Sequence, residues 1–133
     1  MVKAVDIAAE LANRPILNDR TPETPDVDSE DGPFATLSNF RDGAVYAGRF
    51  EGRSPWERHR NGDELVHILD GSVTLTILTA DGESVLEMTR GMLTVVPKGA
   101  WHRFDAPEVV TVLTATPMPT DHSSAEDPRV DQS

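Results

Sequence analysis

Trp56-Glu57-Arg58-His59-Arg60-Asn61-Gly62-Asp63-Glu64-Leu65-Val66-His67-Ile68-Leu69-Asp70-Gly71 holds the strongest local signal in the chain. Asn-Gly is the preferred pair for a two-residue type I′ turn, which needs positive φ at both central positions. With Asn61 and Gly62 as the loop, Arg60 faces Asp63 and His59 faces Glu64. Directly opposed residues on antiparallel strands share a face, with Cβ atoms roughly 5 Å apart. An imidazole and a carboxylate then project side by side, and strand alternation puts Glu57 on the same face. The expectation is three metal-ligating side chains from one hairpin, on the assumption of that register, since another loop length changes every partner. The plainer reading is a cross-strand ion pair on a sheet surface, worth about a few tenths of a kcal/mol.

Short strands surround this stretch. Phe34–Phe40 and Ala44–Phe50 flank an Asp42-Gly43 turn. The hairpin adds strands at roughly 54–60 and 63–70. After Gly71, Val73, Leu75 and Ile77 alternate with Ser72, Thr74 and Thr76, a period of two that buries one face. An Asp81-Gly82 turn leads to Ser84–Met88, and Arg90-Gly91 leads to Met92–Val96. Trp101–Phe104 and Val109–Ala115 complete the set. Many short strands with turns between them mean an antiparallel sandwich or barrel.

The ends read differently. Residues 5–13 form a short helix with Val5, Ala8, Ala9 and Ala12 near one stripe, stopped by Arg14-Pro15. So short a helix needs a surface to dock on. Residues 18–33 are acidic, carry three prolines and read as an extended arm. The organisation is a helix and arm over 1–33, a β-barrel over 34–117 and a disordered tail over 118–133. A barrel of this size has edges that the arm or a homodimer would cover.

The chain has 133 residues, the length of one domain, and no cysteine, which excludes disulfides and thiolate metal sites. The net charge of -11 argues against nucleic-acid backbones and anionic membranes as partners. No apolar run reaches signal-peptide or membrane-span length. The expectation is a cytoplasmic protein whose partner is a small molecule.

A second framed segment is Gly91-Met92-Leu93-Thr94-Val95-Val96-Pro97-Lys98-Gly99-Ala100-Trp101-His102. It reads as a turn, a buried strand and a Pro-x-Gly turn that presents a histidine. Together the two segments resemble the paired motifs of the cupin superfamily, G-x5-H-x-H-x3,4-E-x6-G and G-x5-P-x-G-x2-H-x3-N. His59, Glu64 and Gly71 match the second half of the first motif. Gly91, Pro97, Gly99 and His102 match the second. Three positions depart: Glu57 stands at the first motif histidine, the opening glycine falls on Glu51, and the last Asn falls on Ala106.

The resemblance implies an all-β fold, a double-stranded β-helix (jelly-roll) barrel, over roughly 34–117. Carried over position by position, it implies Glu57, His59, Glu64 and His102 as metal ligands. Two imidazoles with carboxylates suit iron(II) or manganese, with nickel or zinc as alternatives. Glu57 either donates a fourth, oxygen ligand or hydrogen-bonds a ligating histidine or bound water. The implied function is a metal-dependent enzyme acting on a small organic molecule in the barrel, of dioxygenase, isomerase or lyase type, with dioxygenase first. A non-catalytic small-molecule binder or sensor, possible without metal, is the competing reading, because fold does not choose among activities.

The other polar and aromatic side chains have plainer expectations. Alternation turns His67 away from the site, and His122 falls in the tail and is solvated. Tyr46 is a core residue or a candidate acid/base. Trp101 covers the pocket mouth. Arg58 and Arg60 point outward, and Arg103 points opposite to His102, with anchorage of an anionic substrate as its minor reading.

Overall fold

A computed structural model describes residues 2–25 and 31–129. It is an all-β double-stranded β-helix with one short helix. Helix α1 (Ile7–Ala12) is followed by β1 (Leu17–Arg20), β2 (Phe34–Phe40), β3 (Gly43–Arg53), β4 (Trp56–His59) and β5 (Glu64–Asp70). Then come β6 (Ser72–Thr79), β7 (Gly82–Thr89), β8 (Leu93–Val96), β9 (His102–Pro117) and β10 (Thr120–Ser123).

The long strand β9 organises the sheet. Along one edge it pairs with β3, from Gly43↔Pro117 to Arg53↔Asp105, and then with β4 at Glu57↔His102. Along the other edge it pairs with β5, from Leu65↔Ala115 to Asp70↔Thr111, and then with β6, from Thr74↔Asp105 to Ile77↔His102. The expected break between residues 104 and 109 is absent. Pro107 lacks an N–H to donate, and it is accommodated where the β3–β9 register shifts between Phe50 and Gly52.

The core follows the predicted alternation: Val73, Leu75 and Ile77 are buried together with Phe50, Val66, Ile68, Phe104 and Val112. The helix docks, but on other residues than expected. Ala8, Ala9 and Ala12 are exposed, while Leu11 is buried with Ala35, Leu37 and Ala47, and Val5 and Ile7 pack beside them. Larger side chains remove more apolar surface from water, so they take the contact face. Asp6 caps the helix by accepting from the Ala9 N–H at 3.1 Å. Arg49 donates to the carbonyls of Leu11 (2.7 Å) and Arg14 (2.8 Å), joining the helix end to β3.

Two sequence expectations are corrected. The chain does turn at Arg60-Asn61, but not as a type I′ hairpin: neither Asn61 nor Gly62 has positive φ, and the turn does not join paired strands, since β4 pairs with β10 and β9, and β5 with β8 and β9. Its partners lie elsewhere. Asn61 Nδ2 donates to the Met118 carbonyl (2.8 Å), and Asp63 accepts from the Lys98 N–H (2.8 Å). The tail expected to be disordered instead forms β10, which runs antiparallel to β4 from Thr120↔His59 to Ser123↔Trp56. Asp121 holds it there by pairing with both Arg58 and Arg60, which explains why those two arginines face away from the core. The arm is likewise partly ordered: β1 lies parallel to β3 with Leu17↔Phe50 and Arg20↔Gly52. Residues 26–30 of the arm and 130–133 of the tail lie outside the described residues.

Candidate metal centre

His59, Glu64 and His102 meet inside the barrel although they come from three strands. Their side chains are 3%, 6% and 1% exposed. His59 Nε2 stands 3.2 Å from Glu64 Oε2, and His102 Nε2 stands 3.0 Å from Glu64 Oε1. One ligand atom from each residue lies within 4.8 Å of the others. The contact between His59 and Glu64 is therefore real, but it forms across the barrel and not across a hairpin.

Each group is oriented from behind. His102 Nδ1 is 3.0 Å from the Ala100 carbonyl, which only accepts, so Nδ1 carries the proton. His59 Nδ1 is 3.0 Å from Thr120 Oγ1 on β10. Thr116 Oγ1 donates to Glu64 Oε2 at 2.6 Å and is itself 2.8 Å from Thr114 Oγ1. Such outer contacts fix ring orientation and tautomer at metal centres.

The inward-facing atoms fit a cation. His59 Nε2 and Glu64 Oε1 are buried and complete no hydrogen bond among the described residues, despite their short contacts. With Nδ1 protonated, a neutral His102 aims the Nε2 lone pair at a carboxylate oxygen. Lone pairs facing each other in a dry site call for a proton or a metal ion between them. Burial opposes ionisation of Glu64, yet the close contacts with His102 and His59, whose protonated forms would donate to it, hold its pKa at about 2. Burial likewise disfavours protonated His102, but Glu64, with help from Glu57, raises its pKa overall.

Glu57 is not among the residues whose ligand atoms lie within 4.8 Å of one another, though its charge acts on His102. Its Cα pairs with that of His102, so the two side chains share a face. Its carboxylate lies 3.9 Å from Arg20 Nη2 and 3.8 Å from His122 Nε2.

A cavity of about 440 Å³ opens beside the trio, within the size range of small-molecule sites. Phe34, Phe50, Phe104 and Val112 form its apolar side, and Arg20, Tyr46 and Thr114 add polar groups. Tyr46 lines this cavity, with its hydroxyl 3.8 Å from Met118 Sδ. His122 is exposed, as expected, but it sits on β10 and also borders the cavity. Trp101 does not cover its mouth: it is buried with Trp56 and Leu78, and Arg58 stacks 4.5 Å from its ring. Arg103 lies 4.3 Å from the Trp56 ring centre and has no place in the cavity wall. His67, on β5 opposite Leu93 and Leu113, is also outside that wall. Sequence reasoning missed Thr114, Thr116, Thr120 and Arg20. The Thr-x-Thr alternation at 114–116 carried a usable signal, whereas the arm and tail offered none.

The family model for the Cupin domain matches residues 50–115, which contain all the motif positions. This chain is a cupin. The match leaves the helix, the arm and β10 of the cupin outside it. No curated protein matches the sequence. Among solved structures, this cupin is similar to the hydroquinone 1,2-dioxygenase PnpCD in complex with Cd2+ and 4-hydroxybenzonitrile. That match has 23% identity, 63% of each chain covered and a TM-score of 0.55. A cupin-2 domain protein from Shewanella frigidimarina shares 19% identity over 68% of this chain and 79% of its own, with a TM-score of 0.52. Oxalate decarboxylase from Bacillus subtilis, which has Mn(II) centres, shares 16% identity over 67% of this chain, with a TM-score of 0.55. The cupin spans 63% of the dioxygenase chain and 26% of the decarboxylase chain. At these identities the likeness concerns the fold. No helix among the described residues is long and apolar enough to cross a membrane.

Proposed function

We propose that this cupin is a metal-dependent enzyme acting on a small organic molecule bound in the cavity, with a dioxygenase as the first reading. The carrying observation is the buried trio of His59, Glu64 and His102, whose inward atoms complete no hydrogen bond at two of their positions among the described residues. These three residues would hold a divalent ion, iron or manganese first and nickel or zinc next, because imidazole and carboxylate suit all four. Glu57 is proposed as a fourth, oxygen donor, supported by its place opposite His102. A bound metal supplies Lewis acidity or a redox couple.

The remaining work falls to the chain. Ala100 and Thr120 keep the Nδ1 atoms of the two histidines occupied, which leaves each Nε2 to face inward. Thr116 holds one carboxylate oxygen of Glu64, restricting its rotation. The three phenylalanines exclude water from the apolar side, which strengthens electrostatic contacts to a bound substrate. Tyr46 is placed to hold or pass a proton at its hydroxyl. Elemental analysis of purified parent protein beside a His59→Ala/His102→Ala variant tests the centre, and oxygen uptake by iron(II)-loaded protein with a panel of dihydroxy aromatics tests the activity. Metal near one equivalent in the parent, lost in the variant, is expected. A parent that neither carries nor takes up any of the four metals overturns the reading. A metal-loaded parent that binds but never turns over the panel moves the assignment to a binding protein.

A further inference from the structure

Arg20 enters the cavity from β1, outside the residues that define the domain. Its side chain is 4% exposed. The guanidinium carbon sits 4.9 Å from the Phe50 ring centre and 5.5 Å from that of Phe34, and Nη2 is 3.9 Å from Glu57. The guanidinium thus lies over both rings, within ion-pair reach of Glu57, in the wall of the cavity.

The backbone around it is built to hold this place. Asp19 has φ 54, in the left-handed region that non-glycine residues seldom enter. The Asp19 N–H donates to Glu51 Oε1 at 3.0 Å. Gly52, the partner of Arg20 in the β1–β3 pair, has φ 102, and a Cβ there would lie 2.3 Å from the Arg20 carbonyl oxygen and 2.6 Å from its nitrogen. Two local devices on β3 thus deliver one arginine into the pocket. Arg20 is the one buried residue of β1, and docking that strand alone would not require a guanidinium beside two phenyl rings.

We propose that Arg20 anchors the anionic group of the substrate, and that the cavity takes small carboxylic acids with an apolar or aromatic body. A guanidinium presents paired N–H donors that match a carboxylate, and the phenylalanines beside it suit the rest of such an acid. The role given in sequence to Arg103 belongs to Arg20. This inference rests on the reading of the cavity as the substrate site, but it is independent of which metal is held.

The test titrates benzoate and its neutral counterpart benzamide into the protein, metal-free and zinc-loaded, with calorimetry as the readout. Benzoate binds saturably in both states, and benzamide binds more weakly. Arg20→Gln weakens benzoate about 10- to 100-fold, the range for a charge-assisted hydrogen bond, and leaves benzamide and metal content unchanged. Gly52→Ala, which displaces the arginine backbone, lowers benzoate affinity in the same direction. Should Arg20→Gln unfold the protein, Arg20→Lys keeps the charge without the fork and still weakens benzoate.

Three results overturn the inference. One is benzoate binding that is indifferent to Arg20→Gln, including binding that needs zinc and so uses the metal alone. Another is equal loss of benzoate and benzamide, which marks Arg20 as structural. The third is no saturable benzoate binding up to about 10 mM, the weak limit of specific sites. A parent that takes up no metal yet shows the Arg20-dependent preference supports the anion site and removes only the metalloenzyme reading.

Discussion

Replacing Thr116 by valine removes one hydroxyl and keeps the shape of the side chain. That hydroxyl is buried and donates at 2.6 Å to an ionised carboxylate, Glu64 Oε2. A hydrogen bond to a charged group contributes about 1.5–3 kcal/mol. Glu64 is already short of partners, since Oε1 completes no hydrogen bond, so Thr116→Val leaves the carboxylate in contact with the histidines alone. We expect metal-free protein to lose about 2 kcal/mol, read from urea denaturation at pH 7 with an unchanged m-value. Metal affinity, measured by competition with a chelator, falls about 10-fold, the low end for loss of an outer contact to a ligand. The control is Thr114→Val, which spares the Thr116–Glu64 bond and costs less than half as much. Thr116→Val protein that denatures within about 0.5 kcal/mol of the parent and binds metal equally well would refute the claim that Thr116 positions the carboxylate.

Other expectations follow from the same geometry. Thr120→Val removes the partner of His59 Nδ1 and lowers metal affinity about 10-fold by chelator competition, while the urea midpoint moves little because the residue sits on an edge strand. In metal-free protein, Glu64 with its pKa held at about 2 stabilises the fold above its ordinary value of 4.5, and that contribution is lost as pH falls toward 2. The raised pKa of His102 acts oppositely: its contribution is full below its ordinary value of 6.5 and is lost as pH rises through the folded value. Thermal denaturation should therefore show greatest stability between those limits, and added metal should stabilise the alkaline side. A metal-free profile that keeps rising from pH 6 to 9 contradicts the pairing. At Gly48 a Cβ would meet the Phe34 ring at 2.2 Å, so Gly48→Ala pushes that ring aside and weakens binding of any cavity ligand, read by calorimetry. We also propose a homodimer through the exposed Val85, Met92, Leu93 and Val95 of the β7–β8 region, which sedimentation velocity checks against a Leu93→Asp variant.

Much of the fold was legible because burial and periodicity agreed. Val73, Leu75 and Ile77 are core residues for the reason their alternation suggested. The spacing around His59, Glu64 and His102 also marked residues that do converge. The route between them was not legible. Asn61-Gly62 favours a hairpin locally, but the pairing of β4 and β5 with other strands takes precedence, since each finds more partners on opposite edges of β9. The arm and the tail misled for a related reason. Arg20, Thr120 and Asp121 lie in polar, proline-containing segments whose composition reads as unstructured, and their order comes from a barrel edge that only exists once the sheet has curled.

His59 and Glu64 are near neighbours in sequence, yet they belong to strands that touch only other strands. No fragment containing the turn alone can bring the two side chains to their working separation. Their meeting waits for β8, β9 and β10, which all follow them in the chain. Long-range pairing of this kind is slow compared with local hairpin formation. Metal capture by the proposed centre would consequently mark completion of the barrel, since its ligands come from strands that pair only there.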